Sequence, residues 1–215
     1  DKDPFALRRH ALGVVRLLVE KDLPLDLSEL LRAAVPAFGS LIQDPSISLA
    51  DFIYDRLAGS LREQGFSAQE VDAVLALRPE RLSEVAKRLA AVRAFAALPE
   101  APALAAANKR IANILKKSEG ENTATVQQAL LVEAAEKDLY AALQSTVPAA
   151  NAKFDAGDHT ASLQALAALR APVDAFFDGV MVNADDAALK ANRLGLLREL
   201  HNAMNRVADL SRLAT

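Results

Sequence analysis

The 215-residue chain contains no cysteine. That excludes a disulfide framework and any zinc site built on thiolates, and it suits a reducing compartment. Tryptophan is absent and aromatic residues reach only 5%, while alanine and leucine dominate a composition that is 52% hydrophobic. Such a chain can bury a core, and its composition is that of a helical protein. No apolar run approaches the roughly 18 to 20 residues a membrane helix needs. The opening Asp1-Lys2-Asp3-Pro4 has neither the basic start nor the apolar middle of a signal peptide. The expected setting is the cytoplasm, with no membrane partner. Excess positive charge is missing too: a formal net charge of −3 argues against a protein that coats DNA or RNA indiscriminately and leaves room for a small RNA footprint. A phosphate-cradling glycine loop, a GxSxG elbow and the ATP motifs of adenylate-forming enzymes are all lacking. The three histidines, His10, His159 and His201, stand at no metal-binding spacing. Neither a catalytic residue nor a metal site is expected within the chain.

What is present is helical periodicity. Apolar residues recur at spacings of three and four, and alternating strand patterns are nearly absent. The spacing predicts an all-α helical bundle, with helices over about 5–20, 27–38, 48–64, 67–77, 79–98, 101–117, 124–147, 158–169, 172–179 and 185–213. Ser48, Ser67 and Asp158 are the expected N-caps, and Pro79 fits a first helical turn. Pro148 is expected to end a helix, and Ser118-Glu119-Gly120-Glu121-Asn122 to interrupt the pattern. The proline-containing stretch 39–48 marks the expected domain boundary, giving a short helical segment over 1–45 and a helical domain over 46–215.

Few residues offer chemistry. In Asn108 to Lys117, Ala107, Ile111, Ile114 and Leu115 form an apolar stripe, leaving Lys109, Asn113, Lys116 and Lys117 together on the other face beside Arg110. Clustered cations with an amide among them can hold phosphates and read a base edge or ribose; cations at a helix C-terminus can equally just complement its dipole. Tyr54 and Arg56 lie off the stripe of their helix and could stack bases, whereas Phe52 faces the core. Phe176 and Phe177 point roughly 100 degrees apart on a helix and suit core packing at a junction. Asp174 and Asp178 could pair with Arg170 or Arg193. Arg193, one residue off an apolar stripe, either touches RNA or bridges helices. Asp185 and Asp186 read as helix-start residues rather than metal ligands.

Several stretches resemble a known family. The run Leu169 to Asp178, Asn192-Arg193-Leu194, and Ala208-Asp209-Leu210-Ser211 resemble the C-terminal anticodon-binding region of the bacterial glycyl-tRNA synthetase beta subunit, and Lys2 to Arg9 resembles the segment preceding it. The run Lys109-Arg110, then Asn113-Ile114-Leu115, also matches. The resemblance implies a C-terminal piece of that subunit: the end of its body, then a helical domain similar to the anticodon-binding domain of arginyl-tRNA synthetases. It implies recognition of a glycine tRNA anticodon stem-loop, and the residues expected at that contact are Arg56, Lys109, Arg110, Asn113, Lys116, Lys117 and Arg193, together with Tyr54. Aminoacylation, with its ATP and Mg²⁺, would then belong to the separate alpha subunit, a protein partner of the full beta subunit. A helical protein-interaction module that touches no RNA is the alternative, as is the equivalent domain of an arginyl synthetase.

Overall fold

A computed structural model describes residues 5–118 and 125–214. Lys2 to Pro4 of the family-like N-terminal stretch, and Glu119 to Asn122 of the expected interruption, lie outside the described residues. Among the described residues there are ten α-helices, joined by short 3-10 turns. The chain forms two compact units that divide between Leu89 and Ala90.

The first unit holds α1 (Leu7–Glu20), α2 (Leu27–Ala34), α3 (Ser46–Glu63) and α4 (Ala68–Leu75). Ala11, Val15 and Leu18 recur at helical spacing and are buried on α1, which packs on α3, where Ile53, Tyr54, Leu57 and Leu61 are buried. Because α3 also packs on α2, the expected boundary after residue 45 does not separate compact bodies: α3 completes the core of the helices before it. After α3, Gly65 adopts φ +91°, and the Phe66 amide donates back to the Leu61 carbonyl, a left-handed helix stop that suits glycine. Ser67 caps α4 as expected, in a reciprocal capping box with Glu70.

Local expectations fail here for identifiable reasons. The second helix stops at Ala34 and tightens to a 3-10 turn, Val35–Phe38, because Pro36 supplies no N–H to continue the ladder. Ser48 lies inside α3 rather than capping it; Asp44 accepts from the Ser46 amide at 2.9 Å and starts the helix two residues earlier. Pro79 starts no helix. Arg78 just before it has φ +48° and Arg81 is extended, so the chain reaches α5 (Val85–Ala96) only through the turn Leu82–Glu84.

The second unit contains α6 (Ala101–Lys117), α7 (Ala134–Asp155), α8 (His159–Ala165), α9 (Arg170–Gly179) and α10 (Ala187–Met204). The α7 helix packs on α8, α9 and α10, and α6 packs on α9, α10 and the final 3-10 turn, Leu210–Leu213. Ile111, Leu139, Leu143, Phe176, Leu196 and Leu200 are essentially inaccessible in this core. Asp158 caps α8 by accepting from the Ala161 amide at 2.9 Å. Asp186 caps α10 by accepting from the amides of Ala188 and Leu189.

Helix limits differ from the periodicity most at three points. The α7 helix starts at Ala134, where Glu133 and Glu136 form a capping box, and it continues through Pro148. Pro148 and Gln144 are both exposed, so the carbonyl that loses its intrahelical donor faces solvent. The last helix stops at Met204 because Asn205 leaves it to pair with Asn108. The two amides exchange hydrogen bonds at 2.7 and 3.0 Å, and Asn205 Oδ1 also accepts from the Leu210 amide.

Candidate nucleic-acid interface

The α6 helix turns its cations out in two adjoining rows. Ala105, Asn108 and Ile111 are buried, while Lys109, Arg110, Asn113, Lys116 and Lys117 are all exposed. At about 100 degrees per residue, Lys109, Asn113 and Lys116 share one row, and Arg110, Ile114 and Lys117 the next. That second row lines a groove of about 530 Å³ completed by residues 180–183 and by Lys190 and Leu194 of α10. Three cations, Arg110, Lys117 and Lys190, thus meet around one opening. The Arg110 guanidinium lies 4.1 Å over the Phe177 ring, which holds its plane in a fixed orientation. A guanidinium held in this way can stack an unpaired base or fork onto a phosphate.

Charge balance sets this surface apart. Elsewhere in the second unit Arg170 meets Asp174 at 3.5 Å, Arg206 meets Asp155 at 2.6 Å and Arg212 meets Asp209 at 3.1 Å. Among the described residues no carboxylate pairs with Lys109, Arg110, Lys116 or Lys117. A second cavity, of about 380 Å³ between α7 and α10, is lined by Gln144, Asn151, Glu199, Asn202 and Arg206. Its arginine is already answered by Asp155 and an acidic side chain, Glu199, lines the same opening, so it does not suit a phosphate.

Three of the residues expected at RNA are placed otherwise. Arg193 is only 6% exposed; its Nε donates to Glu136 Oε1 at 2.6 Å and its Nη1 to the Met181 carbonyl at 2.8 Å. It bridges elements inside the unit, because the buried Glu136 carboxylate needs a counter-charge. Tyr54 is buried and donates to the Pro79 carbonyl at 3.1 Å, and burial pushes its hydroxyl up to about 12. Arg56 lies 5.5 Å from the Phe52 ring and pairs with Asp55. Both Tyr54 and Arg56 belong to the first unit and their contacts are local. Conversely, sequence reasoning missed Lys190 and Phe177. Lys190 carries no local signal, since only the fold brings α10 beside α6. The phenylalanine pair was visible, and its two rings part company: Phe176 is fully buried, while Phe177 is half-buried beneath Arg110. Arg170 pairs with Asp174, as the sequence allowed.

A helical unit with a cationic face on one helix that meets no carboxylate among the described residues has the character of a nucleic-acid-binding module, and residues 104–210 match the model of the DALR anticodon binding domain. Residues 1–76 match the model of the glycyl-tRNA synthetase beta subunit. The chain belongs to that family. It is 74% identical over its whole length to the glycine–tRNA ligase beta subunit of Delftia acidovorans, 75% identical to that of Paracidovorax citrulli and 64% identical to that of Dechloromonas aromatica. In each case it spans about 30% of the relative's own length.

Proposed function

We propose that the second unit binds the anticodon stem-loop of a glycine tRNA through the α6 face and the groove beside it, and so serves the aminoacylation reaction of a glycine–tRNA ligase. In this reading the adenylate chemistry, with ATP and Mg²⁺, takes place on the alpha subunit in the cytoplasm, and this chain contributes recognition. The observation that carries the reading is the set Lys109, Arg110, Lys116 and Lys117, which meets no carboxylate among the described residues, beside a groove that also receives Lys190. Phosphates are held by such cations, while Asn113 and the Arg110 plane offer base contacts.

The test is binding of this chain to a glycine tRNA anticodon stem-loop at two salt concentrations, with an anticodon-swapped loop as control. Preferential and salt-sensitive binding is expected. Equal affinity for both loops would reduce the surface to a generic RNA binder, and binding to neither would overturn the reading.

A specific observation favours a second, protein-facing role for the first unit. Phe5, Leu7, Leu17, Leu41 and Ile47 are exposed there, with Leu41 at 87% and Ile47 at 82%. Large apolar side chains in that number suit contact with protein, either the rest of a longer beta subunit or the alpha subunit. Leu41→Ser with Ile47→Ser in a full-length beta subunit is expected to weaken its association with the alpha subunit in sedimentation velocity if the alpha subunit is that partner. Unchanged association would exclude it.

A further inference from the structure

Asn192 and Arg193 are adjacent on α10 and both buried, yet each reaches out of the helix to a different loop. Asn192 Oδ1 accepts from the Gln127 amide at 2.7 Å, and its Nδ2 donates to the Gln127 carbonyl at 3.2 Å. Arg193 donates to Met181 and to Glu136; Glu136 Oε2 in turn accepts from the amides of Val132 and Glu133 at 3.0 and 2.8 Å. Two neighbouring side chains therefore tie down both the stretch from Gln127 to Glu136 and the loop at Met181. The groove is lined by Met181 and by Lys190 and Leu194, which flank the pair on α10.

We propose that Arg193 is a positioning residue of the candidate RNA groove: through the Met181 carbonyl it sets where the loop over 180–183 stands against the cations of α6. The assignment rests on the reading of that groove as an RNA site. The chemistry of arginine supports it. An apolar pair of equal volume can fill such a space without loss of stability. It cannot hold a loop carbonyl and a carboxylate at once, which the planar fork of a guanidinium does. Direct contact between Arg193 and RNA is excluded by its burial and by Glu136, which already takes its charge.

The decisive variant is Arg193→Met combined with Glu136→Gln, which leaves no unpaired buried charge and keeps an acceptor for the Val132 and Glu133 amides. A second variant, Arg193→Lys, keeps the charge and loses the fork. Lys117→Gln is the comparison for a residue that meets phosphate. Hydrogen exchange at the Val182 and Asn183 amides is read first, without RNA, and then affinity for the glycine tRNA anticodon stem-loop across a salt series. Exchange in the loop is expected to rise in both Arg193 variants. Affinity is expected to fall about tenfold in the double variant, the scale of one well-placed interaction, with its salt slope unchanged. In Lys117→Gln the slope itself should drop by about 0.7 to 0.9. Wild-type exchange and wild-type affinity in the double variant would overturn the proposal, leaving Arg193 a core residue only. A reduced salt slope would overturn it the other way, by making Arg193 a phosphate contact. If the unaltered chain bound no RNA, the groove's function would fall, while the exchange data would still decide whether Arg193 sets the loop.

Discussion

Three arginines around the first unit's α3 and α4 and the cations of α6 are alike in chemistry and opposite in circumstance. In the first unit Arg62 meets Asp72 at 3.0 Å, Arg78 meets Asp51 at 2.6 Å and Arg81 meets Asp26 at 3.2 Å. Each of these charges is spent inside the fold, and all are solvent-exposed pairs of small energetic consequence. On α6, Lys109, Arg110, Lys116 and Lys117 meet no carboxylate among the described residues, and the helix places them in two adjoining rows. A chain of net charge −3 therefore still carries a concentrated positive face. Net charge thus bounds the size of an RNA footprint but not its existence, because local pairing decides which cations are available to phosphate.

That contrast would be broken most forcefully at Arg193, a cation of the second unit that is both paired and buried. Arg193→Met alone leaves Glu136 without a counter-charge in the core, and about 3 to 5 kcal/mol of stability should be lost, measured by urea unfolding. The pH dependence follows from the same pair. Burial pushes the Glu136 carboxyl up, but its hydrogen bond from Arg193, the Glu133 amide, the Arg193 charge and the Val132 amide together outweigh burial and hold it below the ordinary glutamate range. A lowered folded-state value means that the stabilisation is fully present above about pH 4.3, the ordinary glutamate value, and is lost as pH falls through the folded-state value. Denaturation midpoints in the double variant Arg193→Met, Glu136→Gln should lack that acid-side slope. Phe176→Ala should cost a comparable 3 to 5 kcal/mol or so, since its ring is fully buried; Phe177→Ala should cost less and instead weaken RNA binding by freeing Arg110.

Reversal of the unpaired charges sharpens the comparison from the other side. Lys116→Glu with Lys117→Glu should change stability by only about 1 kcal/mol, the scale of a helix-terminus charge effect. The same variant should flatten the salt dependence of tRNA binding by about 0.7 to 0.9 for each phosphate that is no longer held. Filter binding across a salt series reads the slope directly, and an unchanged slope would remove this face from the footprint.

How far the sequence could be read follows from the range of the interactions involved. The all-α fold, the α6 limits, the caps at Ser67 and Asp158 and the exposed cations of α6 were legible, because periodicity and capping act within a few residues. The stop at Met204 was not, since Asn108 reaches Asn205 across 97 positions. Nor was the role of Arg193, whose partner Glu136 lies 57 residues away. Lys190 became part of the groove only through the packing of α10 beside α6. The expected domain boundary failed for the same reason: residues 39–48 look like a linker locally, whereas α3 belongs with α1 and α2 by its buried face.

The smallest expected effect falls on Tyr54, where sequence reasoning placed an RNA contact and the structure shows a hydroxyl donating to the Pro79 carbonyl at 3.1 Å. Tyr54→Phe keeps the ring beneath Arg78, whose guanidinium stands 4.6 Å from it, and removes only that hydrogen bond. The carbonyl it abandons has a second lone pair and lies near the exposed Arg78 and Glu80, so solvent can reach it in part. About 1 kcal/mol should be lost in urea unfolding. Affinity for the anticodon stem-loop and its salt slope should both stay at their wild-type values. If instead RNA affinity fell while stability held, the division of labour between the paired charges of the first unit and the open cations of α6 would be wrong, since a residue enclosed in the first unit would then be contributing to recognition.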